Sequence, residues 1–391
     1  MVKEYNYGIT AEWRFEGKVV PLDPANIKSL IIDRDFEKTN MPIIFLELAI
    51  TKSMLDNFIV NKSNATIRLT IQKFDNVTNF RQNYISSEFV YFMTDDVNYN
   101  ATLDYMTDNK SVDTLYVTSV LGLMHLDLIN KNKTSINTVY RGATSMDILA
   151  YSLRSTPLVI EQVKSKSWEE IIIPPLGSLS ELVAYMNYRN VLYDTPYRYF
   201  MDFDRTYLLS SSGKAINIKG QKINTVMMTV MEPLSLAVKA QGSDVDTEYN
   251  VYKIMIDANE HKVYKDNVSD KSYTKITGVS ASGQTKTVSI NSGKNVSFSN
   301  KTKYVRVPGE NLGLIDNMKY SAEISTTLVS ITKSNIDNSI MTLEKIYMLK
   351  NFKQNAYLDG QYLLSRKREI YIKTNNYFNC ETVLDFRKIN K

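Results

Sequence analysis

The chain has 391 residues, of which 43% are apolar and 11% aromatic, a composition that excludes an intrinsically disordered protein and allows more than one hydrophobic core. Its 47 basic and 42 acidic residues leave a net charge of only +5, too little to indicate a polyanion-binding protein from charge alone. A single cysteine, Cys380, excludes a disulfide within the chain, and 26 tyrosines against 2 tryptophans favour amphipathic strands over a helical bundle.

The first third of the chain has the alternation typical of strands. Residues 66–74 alternate apolar and polar side chains, which predicts a half-buried strand. Residues 43–50 are apolar on both faces, which predicts a central strand. Between these strands, helical spacing after Thr51 predicts a short helix with a threonine cap. Further strands are expected near Glu88 to Met93 and Leu115 to Leu128.

The pattern changes in the middle of the chain, where two helices are predicted. Thr144, followed three residues later by an aspartate, predicts the start of one helix. Ser178 and Glu181 form an S-x-x-E capping box for the other. Between them, Ile171 to Ile173 predict an extended segment that ends at Pro174. Together these patterns indicate a small mixed α/β module.

The last part of the chain returns to the strand period, with one interruption. Residues 258–317 are low in large apolar side chains and rich in Lys, Ser, Asn, Thr and Gly. Alternation persists inside this stretch, which predicts hairpins facing solvent. The strand pattern resumes near Ala322.

The predicted fold class is therefore mainly β with minor α. We expect a first strand-rich barrel or sandwich in residues 1–141, the mixed α/β module in residues 142–215, and a second β-barrel in residues 216–257 and 318–391. A β-rich insertion, residues 258–317, interrupts the second barrel. The longest apolar stretch is broken by a glutamate and has about half the length that a bilayer requires, so we expect a protein made in the cytoplasm without membrane insertion.

Asp202 and Asp204 are the carboxylates that most suggest a metal site. They are two residues apart and would point to the same side of a strand. A metal ion would need further oxygen ligands, which the sequence does not identify, and the S-S-S-G that follows is typical of a turn. We interpret both as strand and turn residues. The pairs Glu169–Glu170 and Asp95–Asp96 are adjacent, so on a strand they would diverge.

The remaining candidates for chemistry also favour structural roles. The chain has two histidines, His125 and His261, in no zinc-ligand spacing, and we expect His125 to share a strand face with Asp127. Cys380 is interpreted as a buried structural thiol. The basic cluster Ser365–Arg368 is interpreted as a solvated strand end rather than a phosphate site. We predict no catalytic, cofactor-binding or metal-binding residue.

The segment from Ile171 to Ser210 resembles the phage tail baseplate hub proteins. It combines an I-P-P segment, a helix with an E-L-V-A-Y-M-N core, and the strand motif F-M-D-F-D-R-T-Y-L-L-S. These hubs are relatives of the valine-glycine repeat spike proteins of type VI secretion systems. Residues 27–59 resemble the first barrel of the family, where a strand, an acidic-basic turn, an apolar strand and a short helix follow in order. The resemblance covers residues 10–215.

The resemblance implies an architecture and a set of partners. Hub subunits carry two similar tube-type β-barrels and form a homotrimer, whose pseudo-sixfold ring matches the hexameric tail tube above and a trimeric central spike or needle below. The implied partners are the tail tube protein, the spike or needle protein, the tape-measure protein and baseplate wedge proteins. DNA would pass through the lumen without specific binding. The implied location is the tail baseplate of the virion, after synthesis in the host cytoplasm.

Three functions remain open from the sequence. The leading hypothesis is a structural hub that joins tube to spike, forms part of the DNA conduit and is not an enzyme. Some hubs continue into wall-degrading domains, whose catalytic signatures we do not find in this sequence. The alternatives are a cell-wall-degrading tail hydrolase, motivated by Asp202, Asp204 and Glu169, and a β-rich receptor or carbohydrate-binding tail protein, motivated by the tyrosines.

Overall fold

A computed structural model describes backbone and side chains over residues 5–74, 81–94, 117–153, 158–161, 163, 169–187, 192–193, 197–210, 341–350, 356 and 359–389, and the backbone course of residues 75, 116 and 188–190. Between residues 225 and 334 it describes the backbone course of nine strands. Among these residues, no helix has both the length and the apolar character needed to cross a bilayer.

Strands dominate the described residues. The first third contains β1 (Tyr5–Phe15), β2 (Lys18–Leu22), β3 (Ile27–Asp35), β4 (Ile43–Thr51), β5 (Ala65–Asp75), β6 (Arg81–Met93) and β7 (Tyr116–His125). The middle contains β8 (Lys133–Arg141), β9 (Leu158–Ile160), β10 (Glu170–Ser178), β11 (Tyr197–Met201) and β12 (Thr206–Ser210). The next group is β13 (Thr225–Val230), β14 (Ala237–Gly242), β15 (Val245–Asp257), β16 (Val263–Lys265), β17 (Tyr273–Val279), β18 (Thr285–Asn291), β19 (Asn295–Asn300), β20 (Lys303–Val307) and β21 (Ile324–Ser334). The last are β22 (Ile346–Lys350), β23 (Gly360–Thr374) and β24 (Tyr377–Ile389).

Four α-helices are described among these strands: α1 (Lys52–Asn61), α2 (Leu126–Asn132), α3 (Ser145–Ser152) and α4 (Leu179–Asn190). The predicted cap of α1 is confirmed, since Thr51 Oγ1 accepts a hydrogen bond from the backbone of Met54 at 3.3 Å. The cap of α3 is confirmed as a complete capping box between Thr144 and Asp147. The predicted fold class, mainly β with minor α, is also confirmed.

The first barrel is a closed ring of eight antiparallel strands, in the order β1, β5, β6, β7, β4, β3, β23 and β24. The ring closes between β24 and β1 at the pair Tyr7 and Phe378. Its interior is filled by alternate side chains of each strand, such as Leu30, Leu46 and Ile67, which are fully buried.

A second ring forms from β24, β21, β15, β14, β13, β22 and β23. All its pairs are antiparallel except β13 with β22. In the described side chains, Tyr347, Tyr362 and Phe386 are fully buried on β22, β23 and β24. The rings of Tyr347 and Phe386 lie 4.9 Å apart. These large aromatics bury apolar area that stabilises this barrel.

The hairpin of β23 and β24 belongs to both barrels. Residues Gly360 to Tyr362 pair with β22, and residues Arg366 to Ile372 pair with β3. A register shift against β24 lies between Leu364 and Arg366, where the strand leaves one barrel for the other. The hairpin therefore connects the two barrels to each other. The predicted domain bounds stay a prediction.

The middle module has its own core. The β8–β10 ribbon and the sheet β11-β12-β9 pack with α3 and α4 around Leu149, Leu182 and Met186. The prediction that the extended segment ends at Pro174 was wrong, because β10 continues to Ser178. A register shift between Ile173 and Leu176 leaves the two prolines, which have no N–H to donate, outside the regular hydrogen-bond ladder.

The predicted insertion forms a sheet of its own. Strands β16 to β20 pair consecutively and antiparallel. In the strands described here, each pairs within this sheet and with neither barrel.

Candidate functional site

The turn from Asp202 to Arg205 connects β11 to β12 and inserts between the module and both barrels. The backbone N–H of Asp202 donates to the carbonyl of Arg205 at 2.8 Å, which closes the turn. The N–H of Met201 donates to the carbonyl of Asn40, in the connection after β3, also at 2.8 Å. Asp202 and Asp204 are both turn residues, because β11 ends at Met201 and β12 begins at Thr206. The expectation that they point to the same side of a strand was wrong, since neither lies in a strand.

The two carboxylates of the turn diverge. Asp202 is 15% exposed and accepts from Nε of Arg34 on β3 at 3.0 and 3.1 Å. Asp204 is 63% exposed and pairs with its neighbour Arg205 at 2.7 Å. They do not converge on a common point, as two ligands of one metal ion would.

Arg34 is the centre of a buried ionic cluster. Its Nη1 donates to Oε2 of Glu369 on β23 at 2.8 Å. The hydroxyl of Tyr84 donates to both oxygens of Glu369 at 2.9 Å, and Nζ of Lys367 lies 3.5 Å from Oε1. We call Arg34, Tyr84, Asp202, Lys367 and Glu369 the ionic junction.

The position of the ionic junction follows from strand register. Arg34 continues the inward-facing series of β3, and Lys367 is its direct partner on β23. Two cations facing each other would repel, but the carboxylate of Glu369, two residues further along the same inward face, contacts both. The acidic pair Asp202 and Glu369 therefore neutralises two cations at the end of the first barrel that meets the second.

Electrostatics keep Glu369 ionised despite its burial. Burial alone would raise the pKa of its carboxyl, but the charges of Arg34 and Lys367 lower that pKa to about 2. Burial also opposes the charge of Arg34, and Asp202 and Glu369 overcome it, raising the pKa of the guanidinium well above its usual value. Burial lowers the pKa of Lys367, against the attraction of Glu369. The cluster is held together by charge in a place that disfavours isolated charges.

The interpretation of Ser365–Arg368 as a solvated strand end was wrong. These residues lie inside β23, which has 15 residues and crosses from one barrel to the other. Each cation has an acidic partner: Arg366 pairs with Asp33, Lys367 with Glu369, and Arg368 with Asp385. The cluster serves contacts within the chain.

A cleft of about 280 Å³ lies beside the turn. Its walls come from β3, the turn, and the segment Met341 to Leu343 before β22. Nη1 of Arg205 lies 3.9 Å from Oε1 of Glu344, the residue that follows that segment. The ring of Phe203, between the two aspartates, lies 5.2 Å from the guanidinium of Arg34. The turn therefore contacts the first barrel through the ionic junction and the segment before β22 through Arg205.

His125 and Cys380 are both buried among other side chains. The imidazole of His125 packs between Phe89 and Phe203, with centroids 5.1 and 5.6 Å away, and burial lowers its pKa. The expectation that His125 shares a strand face with Asp127 was wrong, because β7 ends at His125 and Asp127 lies in α2. Cys380 is buried, and burial raises the pKa of its thiol to about 12.

The remaining candidates do not meet at one site. Glu169 is exposed, and Glu170 forms an exposed pair with Arg141 at 3.4 Å. His261, Asp95 and Asp96 lie outside the described residues. Among the residues that are described, no group of three or more His, Cys, Asp and Glu side chains could hold a metal ion. The absence of catalytic and ligand residues stays a prediction.

Sequence reasoning missed three members of the ionic junction: Arg34, Tyr84 and Glu369. Arg34 and Glu369 are separated by 335 positions, and no local pattern links them. One signal was present, since charged residues at positions 34, 367 and 369 fall on the inward face of strands that are otherwise apolar there. Charges in such positions predict partners elsewhere in the chain.

No protein-family model and no curated protein matches the chain. Solved structures are similar to nearly all of it. The tail protein from Neisseria meningitidis MC58 has 10% identity and a TM-score of 0.44, over 97% of this chain and 96% of that one. The 43 kDa tail protein of prophage MuSo2 from Shewanella oneidensis has 10% identity and a TM-score of 0.46, over 96% and 97%.

A third similar structure is the E. coli c3393 protein, described as a component of the type VI secretion system with structural similarity to the T4 bacteriophage tail proteins gp27 and gp5. It has 8% identity and a TM-score of 0.42, over 97% of this chain and 77% of that one. The three solved structures named here are thus two tail proteins, one of them from a prophage, and one type VI secretion component.

Proposed function

We propose that this chain is the structural hub of a phage tail baseplate and is not an enzyme. In this role it joins the hexameric tail tube to a trimeric central spike or needle and forms part of the DNA conduit. The proposal has two supports: the resemblance of residues 10–215 to hub proteins, and two closed strand rings within one chain.

The observation that carries the proposal is the hairpin shared by the two barrels. Because β23 and β24 run through both rings, the barrels are fixed to each other by backbone hydrogen bonds rather than by a flexible linker. Three such chains around one axis would present six barrels in a fixed arrangement. This is the number needed to match a hexameric tube.

The ionic junction supports a role in which the chain bears load. It ties the module to the first barrel through charges that are costly to separate once buried. A protein between a tube and a spike has to transmit force without changing shape. A buried network with several partners resists such change better than exposed pairs do.

The same residues give little support to the hydrolase alternative. A general acid or base works best with a pKa near the operating pH, and the pKa of Glu369 is about 2. Glu369 is therefore not suited to exchange protons near neutral pH. Both carboxylate oxygens of Asp202 accept from Nε of Arg34, so this side chain serves a contact within the chain.

A conduit for DNA needs a wall that releases the polyanion. Each Lys or Arg that neutralises a phosphate adds affinity by releasing counterions, and this would slow the passage of DNA. In this chain 42 acidic residues offset 47 basic ones, and the cations of the ionic junction already have acidic partners. We therefore expect a lumen that is neutral or acidic on balance.

Counting copies in purified tails tests this function. Quantitative mass spectrometry with isotope-labelled peptides of this chain and of the tube protein would give the number of chains per tail. We expect three copies, with the tube protein present in multiples of six. Six copies of this chain per tail, or its absence from washed tails, would contradict the hub.

A further inference from the structure

The outer surface of the first barrel carries a row of four apolar side chains and one glycine across five strands. One residue from each of β23, β3, β4, β7 and β6 pairs in register with the next: Ile370, Ile31, Phe45, Gly122 and Phe92. Side chains alternate along a strand, so these point away from the barrel core, which the neighbours Leu30 and Leu46 fill. We call these five residues the apolar row.

The apolar row continues to exposed positions at both ends. Ile372, two residues beyond Ile370 on the same face, is 50% exposed, and Phe92 at the other end is also exposed. Phe92 lies over Gly122, where a Cβ would come within 2.2 Å of the ring. The polar groups beside the row are satisfied within the chain, as Ser29 Oγ donates to Glu47 at 2.6 Å. An apolar row whose neighbouring polar groups already have hydrogen-bond partners within the chain is typical of a contact surface.

The chain already uses this sheet face to bind its own module. Ile43 and Met124, one row away on the same face, are direct partners on β4 and β7. Met124 packs against the module core. This outer face of the first barrel can therefore pack against the apolar surface of a module.

The module presents a second apolar surface of its own. Val139 on β8 and Ile172 on β10 are direct cross-strand partners, and both are exposed, Ile172 by 60%. The hydroxyl of Tyr185 donates to the carbonyl of Ile172 at 2.9 Å, which fixes the ribbon at this point. We call Val139 and Ile172 the module pair.

We propose that the apolar row of one chain binds the module pair of a second copy, head to tail. Two different patches on one molecule satisfy each other only in a heterologous contact, which repeats around an axis and can close into a ring. Ion pairs within the chain lie beside both patches, Arg141 with Glu170 at the module pair and Arg368 with Asp385 at the apolar row, so these charges do not repel a second copy. This inference rests on the proposed hub function, and it identifies the surfaces that would build the ring.

Complementation between two variants tests the contact. Ile372→Glu alters the face of the apolar row, and Ile172→Glu alters the module pair; both positions are exposed, so both variants should fold. Sedimentation velocity over low to high micromolar concentrations should show that the wild type self-associates, and each variant should do so about tenfold or more weakly. Mixed together, the two variants should form a 1:1 complex, because one intact row and one intact module pair remain.

A matched control is Val60→Glu. Val60 is an apolar residue on α1 that is 79% exposed and lies outside both patches. It should leave self-association unchanged, and thermal unfolding should show all three variants folded.

Three results would overturn the proposal: a wild type that stays monomeric at every concentration, variants that fail to complement each other, or an equal loss of association with Val60→Glu. A monomeric wild type would assign the apolar row to another tail protein. None of these results would change the number of copies counted in purified tails, so the hub function would be tested separately.

Discussion

Glu369 is ionised in surroundings where burial favours the neutral acid. The charges of Arg34 and Lys367 lower its pKa from the usual 4.5 to about 2. A carboxyl whose pKa is lower in the folded chain than in the unfolded chain binds its proton less readily when folded. It therefore contributes stability above the unfolded pKa, and this contribution is lost as the pH falls through the folded pKa.

We accordingly expect the free energy of unfolding to fall between pH 4.5 and about 2, in part through Glu369. Urea unfolding of the wild type and of Glu369→Gln at several pH values measures this. The variant should be less stable at neutral pH and should lose less stability in the acid window. Equal dependence on pH in both proteins would show that Glu369 is not held ionised.

The turn offers a matched comparison between Asp202 and Asp204. Asp202→Asn removes one charge facing buried Arg34 and should lower the free energy of unfolding by about 1–3 kcal/mol, the range for hydrogen bonds to charged groups. Asp204→Asn alters an exposed pair and should change it by less than about 0.5 kcal/mol. Chemical denaturation of both variants gives the two values. Equal effects would mean that the buried pair contributes no more than the exposed one.

At the scale of elements, features set by residues close together in the sequence could be predicted, whereas contacts between residues far apart in the sequence could not. Thr51 and Thr144 were found as helix caps because a cap and its partner lie three residues apart. The extension of β10 past Pro174 was missed because a register shift against β8 accommodates the prolines. The ionic junction was missed because Arg34 and Glu369 meet only when β3 pairs with β23.

Between strands β6 and β7, the ring of Phe92 packs directly over Gly122. A Cβ added at Gly122 would lie 2.2 Å from the ring of Phe92, closer than any real contact. Gly122→Ala should therefore cost about 1–3 kcal/mol of folding stability through overpacking.

The same change in a Phe92→Ala background should cost less, because the ring that it displaces is gone. A double-mutant cycle by urea unfolding measures this coupling. Equal costs in the two backgrounds would show that the ring does not restrict Gly122.

At the scale of the whole molecule, two strand-rich parts on either side of a mixed module were readable from strand period. The closure of the first part into a barrel and the way the two barrels join were not. Alternation predicts strands but not their partners, so no pattern in residues 360–389 shows that one hairpin serves two rings. The hairpin and the ionic junction lie at the same place, where the register of β23 shifts. The ionic junction therefore stabilises the part of β23 at which the strand passes from one barrel to the other.

Electron cryomicroscopy of intact tails tests the hub most directly. The account predicts three copies of this chain in one ring, six barrels around a continuous lumen, and a lumen wall that is neutral or acidic on balance. The hairpin of β23 and β24 should pass through both barrels of each copy. A ring of six copies, or a lumen lined mainly by Lys and Arg, would contradict the account.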